Sequence, residues 1–262
     1  MRPIRSLILF ACVALSACGD GEPARSGAAE ESAAPSAPII AALAHPDRSD
    51  ADREMDLRRK PDVVLEFFGV GPGMTVLDLW SGAGYYTEIL ARVVGATGNV
   101  WAHNNTPYLR AEDALAARYG GGRLAAVERF VAENNRLDLP ASTFDAVLMI
   151  LVYHDIYFVN EEIGWEKIDG PALLAEVYQA MKPGAVLGVV DHVAAAGSPP
   201  EVGNTLHRID PDLLRREIVA AGFVFEASSD ALRNPADDLS ENVFADTIRG
   251  RTDRVIFRFR KP

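Results

Sequence analysis

Residues 144–152, FDAVLMILV, are apolar almost without a break. A strand with one face in water alternates apolar and polar side chains, whereas a continuous apolar run is covered on both faces. Similar runs stand at 74–79 (MTVLDL), 99–103, 124–131 and 185–191. Between them, residues 83–94, 107–118, 171–181 and 211–221 carry helical spacing or helix boundary signals such as the closing Gly95 and Gly222. Helices alternating with doubly covered strands make an α/β fold, a doubly wound and mostly parallel sheet. Residues 223–227 and 254–260 are two further strands with no helix between them, so an antiparallel pair at an edge is expected. Two helices, 49–59 and 61–68, precede the first strand, and Pro61 suits a first helical turn.

The chain begins with the three parts of an export signal. Arg2 and Arg5 give a positive start, and residues 6–15 form a short apolar run. Leu15-Ser16-Ala17-Cys18 then resembles a bacterial lipobox, with cleavage before Cys18 and lipid on its thiol. Residues 1–17 are thus a lipoprotein signal and 18–44, rich in Ala, Ser, Pro and Gly, a flexible tether. One domain, 45–262, follows. The expected location is the bacterial envelope, and Gly19 after the cysteine leans toward the outer membrane facing the periplasm. The two cysteines are Cys12 and Cys18, so the mature domain has no cysteine nucleophile or cysteine metal site. A net charge of −11 argues against nucleic acid and against electrostatic docking on anionic lipid. Membrane contact is expected only through the lipid on Cys18.

VLDLWSGAGYYTEIL (76–90) is a strand, a glycine-bearing turn and a helix start. It resembles the first motif of class I S-adenosylmethionine-dependent methyltransferases. NRLDLPASTFDAVLMI (135–150) and MKPGAVLGVVDH (181–192) are similar to later motifs of that family. The chain more closely resembles a group of exported bacterial proteins labelled predicted methyltransferases. The segments carrying that match are AHPDR (44–48), RKPDVVLEFFGVGPGMTVLDL (59–79), GYYTEILA (84–91), GVVDH (188–192), TLHRID (205–210), LRNPADD (232–238) and RGRTDRVIFRFRKP (249–262). The resemblance implies a Rossmann-like sheet of seven strands with the last antiparallel, S-adenosyl-L-methionine as cofactor and a small-molecule acceptor.

By the resemblance, Asp78 and the turn Trp80-Ser81-Gly82-Ala83-Gly84 surround the methionine and ribose of the cofactor; Tyr85, at the helix start beyond, either faces the ligand or packs the helix. Gly82 and Gly84 lack a Cβ and let backbone approach a ligand. Trp80 stands where the family has glycine, and an indole there either stacks on a ligand or fills its space. At the end of the second strand the family places a carboxylate on the ribose. Here the position is Asn104, flanked by His103 and Asn105, and an amide lacks charge assistance. Asn134 and Asn135 fall where the family meets adenine, and Asn135 is the closer match.

His103, His154 and His192 each end or follow a strand, on the rim where an open sheet binds ligands, and His207 lies in the loop beyond. An imidazole near its ordinary pKa can take a proton from an attacking nucleophile. Tyr153, His154, Asp155, His192 and His207 are therefore the candidate catalytic residues. The rim also offers His154, Asp155, Asp191, His192 and His207 as a mixed donor set, but no helical His-x-x-x-His spacing supports a metal and none is assigned. The loop 155–169, with Tyr157, Phe158 and Trp165, either covers an apolar substrate or is merely anchored by those rings. The alternatives to methyl transfer are a non-catalytic binding protein and a metal-assisted hydrolase at the His/Asp rim.

Overall fold

The computed structural model describes residues 34–262, and the expected leader and lipid site at Cys18 lie outside them. Seven strands form one sheet, Thr75–Asp78 (β1), Asn99–Asn104 (β2), Val127–Val131 (β3), Phe144–Ile150 (β4), Met181–His192 (β5), Val224–Ser229 (β6) and Arg254–Arg260 (β7). Their order is β3-β2-β1-β4-β5-β7-β6. The first five run parallel, and β7 is antiparallel to both β5 and β6. The last strand thus inserts inside the edge, because its alternating apolar residues Ile256 and Val255 need cover on both faces.

The helices among the described residues are Ala37–Leu43 (α1), Asp50–Arg59 (α2), Pro61–Phe68 (α3), Tyr85–Val94 (α4), Glu112–Tyr119 (α5), Gly170–Ala180 (α6), Val202–Leu206 (α7) and Pro211–Ala220 (α8). Successive residues of β4 enter opposite apolar clusters, Val147 and Met149 on one face, Ala146 and Leu148 on the other. That is the period of two acting on a doubly covered strand.

One boundary changes. The tether was expected to reach residue 44, yet α1 is folded, with Ile39 at 0 % exposure in the cluster against α4. Ile39, Ala42 and Leu43 suffice to bury a face once α4 supplies the partner. The stretch expected as one helix at 107–118 divides into a 3₁₀ segment, Thr106–Ala111, followed by α5.

Candidate active site

Open α/β sheets bind ligands beyond the carboxyl ends of their strands, where strand order reverses. Here the reversal lies between β1 and β4. A cavity of about 890 Å³ lies at that place, within the roughly 300–1,000 Å³ of small-molecule sites. Trp80 to Ala83 enter its wall from the turn after β1, His154 and Asp155 from the turn after β4, and His192 from the end of β5. His207 joins from the residue closing α7.

Three non-glycine residues on this wall hold left-handed backbone, Trp80 (φ 57°), Leu151 (φ 62°) and His207 (φ 54°). Each such residue costs about 1–2 kcal/mol, and such strain gathers at functional sites.

At the glycine-turn end, α4 starts without a side-chain cap, its N-cap being Gly84 at φ 78°. The amides of a helix's first turn have no intrahelical partner. Gly84 holds left-handed backbone, and a Cβ there would force the Tyr119 and Arg118 side chains to move. The Ser81 hydroxyl is buried with no hydrogen-bond partner, and so is the Trp165 indole N–H; both residues line the cavity. Tyr85 donates to Asp56 Oδ1 at 2.6 Å, and Arg48 clamps the same carboxylate at 2.6 and 2.7 Å. Those bonds seat α2 over α4. Arg59 lies 4.8 Å from the centre of the Tyr85 ring.

A cationic wall completes this end. Arg58, Arg59, Arg118, Arg249 and Arg254 line the cavity, against Asp155 and Asp246, with Arg118 already paired to Asp52 and Glu88 at 2.9 and 2.6 Å. Arg254 is 4 % exposed, and its hydrogen bonds go to Thr252 Oγ1 and the carbonyls of Arg58 and Gly250, all neutral groups. Burial, and then the Arg59 charge, lower its pKa to about 10.

At the histidine end, Asp191 is fully buried and its Oδ1 lies 2.7 Å from His154 Nδ1. Its Oδ2 accepts from the His154 amide at 2.8 Å. Asp155 Oδ1 lies 3.3 Å from His154 Nε2 and 3.6 Å from His207 Nδ1. Tyr108 donates to Asp155 Oδ2 at 3.2 Å. Burial works to lower the His154 pKa, but the Asp191 and Asp155 carboxylates outweigh it and push it up to about 10. Burial likewise works against ionised Asp155, and the His154 charge outweighs it and brings it to about 2. His192, its Nδ1 2.7 Å from Thr252 Oγ1, is held well below the ordinary value by burial and then by His154. The two carboxylates thus favour the protonated form of His154, while His192 favours the neutral imidazole.

The fold was compared with solved structures. A methyltransferase from Aquifex aeolicus described as SAM dependent superposes with a TM-score of 0.54 at 22 % identity, covering 81 % of this chain and 99 % of that one. The chain has the class I S-adenosylmethionine-dependent methyltransferase fold. The family model for protein-L-isoaspartate(D-aspartate) O-methyltransferase matches residues 61–118 of this methyltransferase-fold chain, from α3 through the glycine turn into α5. A sterol 24-C-methyltransferase of Yarrowia lipolytica is 26 % identical over 205 residues, 72 % of this chain and 49 % of that protein. The ubiquinone/menaquinone biosynthesis C-methyltransferase UbiE of Hydrogenovibrio crunogenus is 30 % identical over 130 residues, 49 % of this chain and 46 % of that protein. The chain spans about half the length of these curated relatives.

Within the methyltransferase fold the expected site residues divide. Trp80, Ser81, Gly82, Ala83, Tyr85, His154, Asp155, His192 and His207 line the cavity. Asp78, Gly84, His103, Asn104, Asn134, Asn135 and Tyr153 do not. Asp78 is buried behind the turn and accepts from Thr87 Oγ1 at 2.5 Å, and burial raises its pKa to about 6. Asn104 spends both amide atoms on the Gly82 backbone, accepting from its N–H and donating to its carbonyl, each at 2.9 Å. It clamps the turn instead of reaching toward a ribose. His103 sits between the Trp80 amide and the Ala132 carbonyl at 3.4 and 3.0 Å, and burial lowers it to about 4. Asn134 Oδ1 accepts from the Trp80 indole at 2.8 Å and from Asn105 at 3.1 Å, so the adenine-side amide is occupied. Asn135 is exposed and ties the loop at Lys167 and Asp169. Tyr153 points into the core, where its hydroxyl donates to Glu217 at 2.9 Å.

Trp80, at 2 % exposure, packs on Trp165 with centroids 6.3 Å apart. Tyr108 and Phe158 hold the same Trp165 at 5.3 and 5.6 Å. Phe158 and Trp165 therefore anchor the loop and form cavity wall together, while Tyr157 turns away to Glu217. Tyr108 and the five arginines were missed from sequence. The segments RKP and RGRTDR, quoted for the family match, held the signal for Arg59, Arg249 and Arg254.

Proposed function

We propose that this protein transfers a methyl group from S-adenosyl-L-methionine to a small acceptor held in the cavity. The observation that carries the reading is the Ser81 hydroxyl, buried and unpartnered on the turn that opens α4. A buried polar group left without a partner costs about 1–3 kcal/mol, and a ligand at the turn removes that cost.

The residues fit the cofactor at its amino-acid end. Ser81 and the uncapped start of α4 offer hydrogen bonds, and Arg59 offers charge to a carboxylate. At the adenosyl end Trp80 and Trp165 offer ring faces in place of the missing carboxylate. When bound, the cofactor supplies an electrophilic methyl group. The chain does the rest. Trp80, Phe158 and Trp165 exclude water, and Asp155 and His207 border the acceptor space. His192 is neutral, with its Nδ1 2.7 Å from Thr252 Oγ1, and a tautomer that keeps the proton on Nδ1 leaves Nε2 to accept a hydrogen bond from the acceptor.

Calorimetric titration of the full chain with S-adenosylhomocysteine tests this. Micromolar binding, weakened about threefold to tenfold in Ser81→Ala, supports it. No binding to folded chain at millimolar ligand sinks it. A second reading, a non-catalytic small-molecule-binding protein, draws on the Asn104 clamp, which removes the expected ribose contact.

The proposal includes attachment to a bacterial envelope by lipid on Cys18, supported by the order Leu-Ser-Ala-Cys after an apolar run. Metabolic labelling with palmitate reads it out. Label retained in Cys18→Ser argues against this anchor.

A further inference from the structure

The methyl-transfer reading uses His192 and leaves His154, Asp155 and His207 as wall. Their arrangement is more specific than a wall requires. One donor atom from each lies within 4.8 Å of the others. Asp155 Oδ1 stands 3.3 Å from His154 Nε2 and 3.6 Å from His207 Nδ1. Ligands bonded to a tetrahedral zinc at 2.0–2.1 Å are separated by about 3.4 Å. We propose that His154, Asp155 and His207 form a binding site for a first-row divalent metal ion of the zinc type, with its remaining coordination positions turned into the cavity.

Each donor is oriented from behind. His154 has its Nδ1 on buried Asp191, the carboxylate–histidine arrangement that fixes which ring nitrogen faces a metal, and an ion at Nε2 would displace the proton that otherwise faces Asp155. Asp155 has its other oxygen on the Tyr108 hydroxyl. His207 is wedged between the rings of Phe158 and Phe244, at 5.1 and 4.9 Å, on left-handed backbone. Gly203 brings it there. A Cβ on Gly203 would stand 2.6 Å from the His154 carbonyl, so only glycine lets α7 lie against the turn that carries His154 and Asp155.

Behind this sits a buried anchor. Arg208, next in sequence to His207, pairs with Asp237 at 2.8 and 3.1 Å and donates to the Val193 carbonyl at 3.0 Å. TLHRID and LRNPADD therefore meet in one buried ion pair, and its consequence at the surface is the place of His207.

Two imidazoles and one carboxylate are a donor set for zinc or iron(II), with positions left for a ligand. All three residues line the same cavity as Ser81. The ion's own ligand is a small molecule with an oxygen or nitrogen donor, and Arg254 nearby favours one with negative charge. This inference stands apart from the methyl-transfer reading, because metal binding needs no cofactor.

The test is calorimetric titration of chelator-treated full-length chain with Zn²⁺, together with visible absorption of the Co²⁺ form. The expected result is one ion per chain at this site. His207→Ala and Asp155→Asn should each weaken it about tenfold or more, and Asp191→Asn, which touches no ion, about 10–100-fold. His45→Ala, a surface control, should leave it unchanged. Thermal melts establish that each variant is folded, and Asp155→Asn carries the test if His207→Ala is not. No uptake of Zn²⁺ or Co²⁺ by folded chain overturns the proposal. So does uptake that His207→Ala and Asp155→Asn leave intact, since the ion then sits elsewhere. Metal uptake without S-adenosylhomocysteine binding defeats the methyl-transfer reading alone.

Discussion

The two ends of the cavity differ in what their polar atoms are doing. Behind the glycine turn, Asn104 holds the Gly82 backbone, His103 sits between the Trp80 amide and the Ala132 carbonyl, and Asn134 accepts from the Trp80 indole and from Asn105, so these side chains have little left over. At the histidine end, donor atoms of His154, Asp155 and His207 converge on one point and the orienting bonds lie behind them. The first region uses polar chemistry to hold a loop shape. The second uses it to present atoms. Residue type alone does not separate these cases, since both regions are rich in Asn, Asp and His at strand ends. Where the hydrogen bonds terminate does separate them.

If that contrast is sound, damage to the residues that brace the turn should cost stability, and damage at the histidines should cost the metal ion. Trp80→Ala should destabilise most, by about 3–5 kcal/mol, through loss of a buried indole and its bond to Asn134. Trp80→Gly should be milder by about 1 kcal/mol despite being smaller, because glycine relieves the left-handed backbone. Urea unfolding of both variants measures it, and an alanine variant as stable as the glycine one would break the claim of strain.

Asp78 comes next. Burial raises its pKa from the ordinary 3.8 to about 6. The folded state therefore favours the protonated acid. Its contribution is fully present below about pH 4 and is lost as pH rises through 6, a change of about 3 kcal/mol. Asp78→Asn should remove that slope from the stability–pH curve, read by denaturant midpoints between pH 4 and 7. A slope unchanged in the variant assigns it to other groups.

Asn104→Ala, which frees both Gly82 backbone atoms, should cost about 1–3 kcal/mol in the same assay. The smallest effect on stability belongs to the histidine end. His207→Ala removes a half-buried ring and should shift unfolding by about 1 kcal/mol or less, while weakening zinc binding about tenfold or more. A large stability loss there would erase the contrast between the two ends.

These distinctions also mark how far the sequence could be read. Unbroken apolar runs such as FDAVLMILV identify a doubly covered sheet, because periodicity reports burial directly. Strand ends locate the rim, so His154 and His192 are found by position. The place of β7 inside the edge depends on long-range pairing with β5, which periodicity does not carry. Asn104 stands at the expected position, yet its role is set by Gly82 lying within reach, a fact of tertiary structure. Tyr153 neighbours His154 but turns to Glu217, since a 3₁₀ turn at 153–157 sends adjacent side chains in different directions. Tyr108 and Arg254 come from segments with ordinary helix or strand composition, and only the folded chain brings them to the cavity.

The most direct test of the account is amide hydrogen exchange of the full chain with and without S-adenosylhomocysteine. The account predicts added protection over residues 80–88, the turn and the start of α4. It predicts little change over 205–210, the segment carrying His207. Protection confined to 205–210, or none anywhere at millimolar ligand, would contradict a cofactor seat at the glycine turn.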